Sequence, residues 1–255
     1  MIPFFRKIRK QMADDNRPLK PAWPAGRYAR YAIGEIVLVV IGILIALQVN
    51  NWNEKRKFNR EGVQIQKELY DEFLDNRAVL AERITSLESA NEHIEALFYY
   101  MDSPKEIVQT VNIDSIIGFS LKYGNFNPSN STIQELIGSG RLNLISNKSL
   151  KKNIYKWLQL LEDADEDFKN QDQQASTLLI PYLYKRLAMK NINHYDGLRN
   201  DQKSKLFSGD YSIVFDDLEF ENLYEGKLFW NRTLLNHYKD LDTLAAEIIK
   251  QSKVY

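Results

Sequence analysis

An unbroken apolar run is the first long pattern in the chain. From Ala32 to Leu47 it reads AIGEIVLVVIGILIAL, with Glu35 its one ionisable residue. Tyr28 and Tyr31 precede the run and Trp52 follows it, so a segment at about Ala29 to Val49 is long enough to span a bilayer and has aromatic ends. A cleavable signal peptide would show a shorter apolar run and a small-x-small cleavage site, whereas this one leads into Leu47-Gln48-Val49-Asn50. The pattern predicts one uncleaved transmembrane helix over residues 29–50.

Past the run, apolar positions recur periodically. Ile65, Leu69, Phe73, Asn76, Leu80, Ile84, Leu87, Asn91, Ile94, Phe98 and Met101 advance in ten steps over 36 residues. That is the 3.6 period of a straight amphipathic helix, and it predicts one long helix stopped by Pro104. Asn76 and Asn91 are the polar members of the seam, suited either to fixing register or to a solvated bundle edge. A short apolar segment follows at Ile113 to Leu121, and then a turn-rich loop from Tyr123 to Asn130.

Thr132 with Glu135 matches a capping box, opening a brief helix that Gly138-Ser139-Gly140 ends. Asn147 is the expected N-cap of a second long helix, whose face carries Leu150, Ile154, Trp157, Leu161, Phe168, Ala175, Leu179 and Tyr182, with a kink or break at Pro181. Residues 190 to 216 are the least helical, and Tyr211 to Phe215 are expected to form a short strand or extended connection. The last helix sets Phe220, Leu223, Trp230, Leu234, His237, Leu241, Leu244 and Ile248 on one face and ends in Lys250 and Lys253. The fold class is therefore all-α: an N-terminal transmembrane helix and then a helical-bundle soluble domain. The boundaries are a basic tail at 1–28, the membrane helix at 29–50 and the bundle at 51–255.

Charge adds an asymmetry that the total conceals. The chain has 34 basic and 34 acidic residues, but residues 1–30 hold eight basic and two acidic ones, leaving 26 and 32 for the rest. The tail is net +6 and the remainder net −6. A cytoplasmic N-terminus and a periplasmic C-terminal domain follow from the positive-inside rule, although Lys55, Arg56, Lys57 and Arg60 crowd the other flank. Within the tail, Phe4, Phe5, Ile8 and Met12 interleave with basic residues and could form a helix lying on an anionic leaflet. A plain topology signal is the simpler reading. Pro18, Pro21 and Pro24 suit an extended linker. No clustered basic face marks the remainder, so nucleic acid is not an expected partner.

Within the membrane helix, Glu35, Val39, Gly42, Ala46 and Val49 share a face, and Gly42 with Ala46 forms a small-xxx-small pair that permits close helix approach. These five are the candidate contact residues for a second helix. Glu35 lies about a turn from Tyr31, so snorkelling or a structural hydrogen bond is a simpler role than ion transfer.

Catalytic chemistry finds little support. The chain has no cysteine, which removes disulfides, thiolate metal sites and a thiol nucleophile. His93, His194 and His237 lack metal-ligand spacing, and His237 reads as a core histidine. The acidic run at 163–167 lacks the glycine and distal glutamate of a calcium loop and reads as a solvated helix face. Gly138-Ser139-Gly140 fits neither a phosphate loop nor a nucleophile elbow. Asp165 and Asp172 are too generic to name a reaction. The Asn-x-Ser/Thr triplets at Asn130, Asn147 and Asn231 would matter only in a eukaryotic secretory pathway. No catalytic residue, cofactor or metal site is assigned.

The stretch FFRKIRK, followed by YAIGEIVLVVIGILIALQVNNWNEKRK, resembles the N-terminus of a large uncharacterised family of small single-pass proteins common in Bacteroidota. TIQELIGSGRLNLISNKSLKKNIYKW resembles a second block of it, with a looser likeness around LFWNR. The insertion from Pro18 to Pro24 departs from the family's compact tail. The resemblance implies an inner-membrane protein of a Gram-negative bacterium and carries no activity. Membrane lipid and either a second copy or a membrane-protein partner are the expected contacts. Three roles stay open: an oligomeric scaffold or accessory subunit of an envelope complex, a ligand-sensing helical domain signalling through a partner, and an ion-conducting assembly using Glu35. An enzyme comes last.

Overall fold

The computed structural model describes residues 24–196, 202–207 and 209–253, and the described residues form helices and connections without a strand. The amphipathic tail at Phe4 to Met12 and the linker prolines Pro18 and Pro21 lie outside them. The helices are α1 (Pro24–Met101), α2 (Lys105–Val108), α3 (Ile113–Ser120), α4 (Ser131–Gly138), α5 (Lys148–Gln174), α6 (Ile180–Arg186), α7 (Met189–Ile192), α8 (Ser212–Phe215) and α9 (Leu218–Ser252). A 3₁₀ turn at Arg141–Leu144 precedes α5, and a π-helical turn at Ala175–Leu179 joins α5 to α6.

The chain divides into two units, Met1–Lys57 and Phe58–Tyr255. The first holds the apolar part of α1. It is long and apolar enough to cross a membrane, reaching a mean hydropathy of 2.6 over a window of which none is buried.

The second unit is a bundle of the later part of α1 with α5 and α9. Arg77 pairs with Asp242, Glu88 with Lys239 and Glu95 with Arg232. Residue numbers rise along α1 as they fall along α9, so the two run antiparallel. Asn153 reaches Glu247, and Gln174 reaches the backbone of Leu223, which makes α5 antiparallel to α9 as well. Burial follows the α1 periodicity: Ile65, Leu69, Phe73, Leu80, Leu87 and Ile94 are in the core, and Ile84, Phe98 and Met101 lie at its margin.

The seam of α9 differs from the expected one. Its innermost residues are Phe220, Tyr224, Lys227, Asn231, Leu234, Tyr238, Leu241, Ala245 and Ile248, eight steps over 28 residues. This is the 3.5 spacing of a coiled-coil seam. Leu223, Trp230 and His237 flank it, half-buried.

The turn-rich loop is pinned at several points. Phe126 packs edge-on to Trp157 and Tyr238, and its N–H donates to the Tyr238 hydroxyl at 3.0 Å. Trp157, fully buried against Phe73, donates its indole N–H to Asn130 Oδ1 at 3.0 Å.

The capping box does not form. Asn130 is the N-cap of α4 and makes no side-chain cap bond, while the Thr132 N–H donates to Glu72 Oε2 at 2.9 Å. Glu72 also accepts from Ser129 Oγ at 3.1 Å, so a carboxylate on α1 supplies what the local box would have supplied. Glu135 pairs instead with Arg141. Asn147 caps α5 as expected, its Oδ1 accepting from the Ser149 and Leu150 N–H groups.

Pro181 has no N–H to close an α-helical turn, and the chain widens just ahead of it, Ile180 N–H reaching back to the Ala175 carbonyl. Thr177 Oγ1 donates to the Gln173 carbonyl at 2.6 Å within that turn. The strand expected at Tyr211 to Phe215 is a short helix, α8. Asp210 starts it by accepting from the Ser212 N–H and hydroxyl, a local turn that competes with extended backbone.

Close approach is needed at Gly62, where a Cβ would lie 2.8 Å from the Leu144 carbonyl oxygen. Helix propensity would favour alanine here by about 1 kcal/mol, but forcing backbone apart costs about 1–3 kcal/mol. Gly62→Ala should therefore lower the melting temperature by a few degrees, read by circular dichroism of the full-length protein in mild detergent; a rise would show that the approach is relaxed.

Candidate functional site

The five residues singled out in the apolar helix are all exposed. Val39 and Val49 are 55% and 59% accessible. Glu35, Gly42 and Ala46 are open as well, and a Cβ added at Gly42 would meet nothing within 4 Å. Large apolar side chains from Ile33 to Val49 are exposed around the whole circumference of the helix. Helical periodicity places the five along one side, with Gly42 and Ala46 leaving its middle shallow.

A second arrangement lies inside the bundle. Asn231 on α9 donates from Nδ2 to Asn91 Oδ1 on α1 at 2.8 Å, and its own Oδ1 accepts from Gln171 Nε2 on α5. The three amides thus tie the three long helices together at one level. On α1, Asn91 falls between Leu87 of one hydrophobic cluster and Ile94 of the other; on α9, Asn231 falls between Leu228 and Leu234, which also belong to different clusters. A polar layer therefore divides the core in two.

Lys227 sits one turn from Asn231 and is fully buried. Its Nζ lies 4.5 Å from the centre of the Tyr123 ring and, among the described residues, has no hydrogen-bond partner. Gln171 Oε1 and Gln174 Oε1 are likewise buried without one. Their amide N–H groups go to Asn231 and to the Leu223 carbonyl, one turn to either side of Lys227 on α9. Burial pushes the ammonium down to about 8. Burial, and then a 2.8 Å hydrogen bond to Asp172 Oδ1, push the Tyr123 hydroxyl up to about 12. The cation is stabilised by the ring face beneath it.

A lysine and an asparagine are poor indicators of a core position, so Lys227 and Asn231 escape a reading by hydrophobicity. The 3.5 spacing of the α9 seam is the signal that locates them.

The histidines are used separately. His93 Nδ1 contacts the Ser89 carbonyl and its ring packs on Phe119, His194 stacks edge-on to Tyr195, and His237 Nε2 lies 3.0 Å from Asp167 Oδ2. Asp165 accepts from Asn125 and pairs with Lys169, and Asp172 takes the Tyr123 hydroxyl. Neither aspartate joins a histidine or a serine or threonine hydroxyl in these contacts. Among the described residues no cluster of three or more His, Asp or Glu is placed to hold a metal ion.

A family model described as "Family of unknown function (DUF6090)" matches residues 35–162, half of the 255-residue chain. The chain belongs to this family. No curated protein and no solved structure matches it. In this DUF6090 member the matched stretch takes in the apolar helix from Glu35, the Glu72 cap, Asn91 and the pinned loop, while Gln171, Lys227 and Asn231 lie beyond it. The DUF6090 stretch also carries an open groove of about 540 Å³ beside α1, lined by Glu82, Thr85, Ser86, Ser89, Phe119 and Lys122. Lys122 lies over the Phe119 ring at 4.4 Å, so its one aromatic wall is already capped by a cation.

Proposed function

We propose that this protein is a non-enzymatic, single-pass inner-membrane protein that acts as an oligomeric scaffold or accessory subunit of an envelope complex. Residues 1–28 form its cytoplasmic tail, 29–50 cross the bilayer, and 51–255 form a periplasmic helical domain. The observation that carries this reading is the bare apolar circumference of α1 between Ile33 and Val49. A helix apolar all round is at home in lipid or against other membrane helices.

The tail of net +6 supports a cytoplasmic N-terminus. The open side at Gly42 and Ala46 supports contact with a second membrane helix, either a copy of the chain or a partner. The sensor and ion-path readings have less behind them: the groove is open and its one aromatic wall is capped by Lys122, and Glu35 is the one acidic residue in the apolar segment.

The test is the mass of the full-length protein in mild detergent by native mass spectrometry. Wild type is expected as a discrete homo-oligomer or a stable hetero-complex, and Gly42→Ile as mostly dissociated, because its branched side chain fills the approach surface. A monomeric wild type that Gly42→Ile leaves unchanged would sink the scaffold reading.

A further inference from the structure

We propose that Lys55 and Arg56, on the Trp52 side of α1, hold the phosphate of an anionic phospholipid at the C-terminal end of the apolar segment. The inference rests on the membrane-spanning reading and adds a lipid class to it.

Depth comes first. Tyr31 and Trp52 are separated by 21 residues, roughly 31 Å along a helix axis, close to the hydrocarbon thickness of a bilayer. With both rings at the interfaces, Lys55 and Arg56 stand about 4.5–6 Å further along, at the level of lipid phosphates.

Direction comes next. At 3.6 residues per turn, Lys55 and Arg56 fall within about 60° of Trp52, whereas Glu54 points about 160° away. Glu54 is drawn further to that opposite side by Asn50, whose Nδ2 donates to Glu54 Oε1 at 3.0 Å. Lys55 and Arg56 thus lie on the side of the turn away from Glu54, while Lys57 falls on the Glu54 side. The Arg56 guanidinium carbon lies 5.8 Å from the centre of the Trp52 ring, which steadies the cation and leaves its N–H edge available. Trp52 is 63% accessible, and Lys55 and Arg56 are exposed.

An ammonium and a guanidinium on the two flanks of an indole at the acyl boundary, the guanidinium over its ring, match a phosphodiester carrying net negative charge. A zwitterionic headgroup brings a choline or ethanolamine cation that the same pair repels.

The experiment uses full-length protein in mild detergent with an equimolar mixture of phosphatidylglycerol and phosphatidylcholine, and native mass spectrometry counts the lipids retained. Wild type is expected to prefer phosphatidylglycerol. The double variant Lys55→Gln/Arg56→Gln should lose roughly tenfold or more of that preference, with phosphatidylcholine retention unchanged. Both proteins keep the basic tail, so the difference between them reports this pair. Equal preference in the two proteins would overturn the proposal. Recovery in alkali-washed membranes separates the two readings. Absence of both proteins there would overturn the spanning segment and the lipid contact together, whereas their presence with equal selectivity would remove the lipid contact alone.

Discussion

The folded unit should gain stability as the pH rises from about 8 to about 10. In the native state Lys227 loses its proton at about 8, whereas in the unfolded chain it keeps it until about 10.5. Between those values the unfolded state binds more protons, so raising the pH favours the native one. At about 1.4 kcal/mol per unit, the gain between pH 8 and 10 is about 2 kcal/mol.

Buried and half-buried tyrosines then reverse the trend. Tyr123 and Tyr238 are held up to about 12 by burial first, and Tyr182, Tyr211 and Tyr224 are raised further by the same cause. They stay protonated in the native state after the unfolded chain has lost these protons, so stability falls above about pH 10. The expected profile is a maximum near pH 9 to 10 in chemical denaturation of the full-length protein in mild detergent.

Lys227→Met should flatten the rising limb and raise the melting temperature at pH 7 by roughly 5–10 °C, since it replaces a buried cation with an apolar chain of similar length. A destabilised Lys227→Met with a flat wild-type profile would mean that the ammonium is satisfied in the native state.

The second large effect is expected at Asn231. Asn231→Leu removes the donor to Asn91 and the acceptor for Gln171 in one step, leaving two buried amides without partners. Each such group costs about 1–3 kcal/mol, so a loss of about 2–5 kcal/mol is expected in the same denaturation assay. Replacing Asn91, Gln171 and Asn231 together by leucine should restore most of it, because no orphaned group remains. The comparison of single and triple variants decides whether the layer acts as a unit: similar losses in both would show that packing, and not hydrogen bonding, sets the cost.

Much of the architecture can be read from the chain because it rests on long apolar patterns. The run from Ala32 to Leu47, the face from Ile65 to Met101 and the N-cap at Asn147 each declare themselves locally. Where sequence reading misleads, a contact from a distant residue or a competing local hydrogen bond decides. Thr132 and Glu135 have the spacing of a capping box, but Glu72 reaches the helix start first and Arg141 takes Glu135. Tyr211 to Phe215 has the residues of a strand, yet Asp210 turns it into a helix. Lys227 and Asn231 are hidden because a charged or amide side chain counts as surface in any hydrophobic average, and only the strict spacing of the α9 seam places them inside. The residues from Glu35 to Val49 that share one side of the apolar helix are legible as a face, since small side chains at Gly42 and Ala46 need no tertiary information to be recognised.

The Glu72 cap carries a consequence for the order of assembly. A helix of eight residues is too short to hold itself together in water, and the carboxylate that steadies the first turn of α4 comes from about 60 residues earlier in the chain. Without a local cap, α4 gains that stabilisation only once its segment has met α1. The loop from Tyr123 to Asn130 and the helix after it therefore depend on α1 for their closure, which adds to the share of distant contacts that folding must complete.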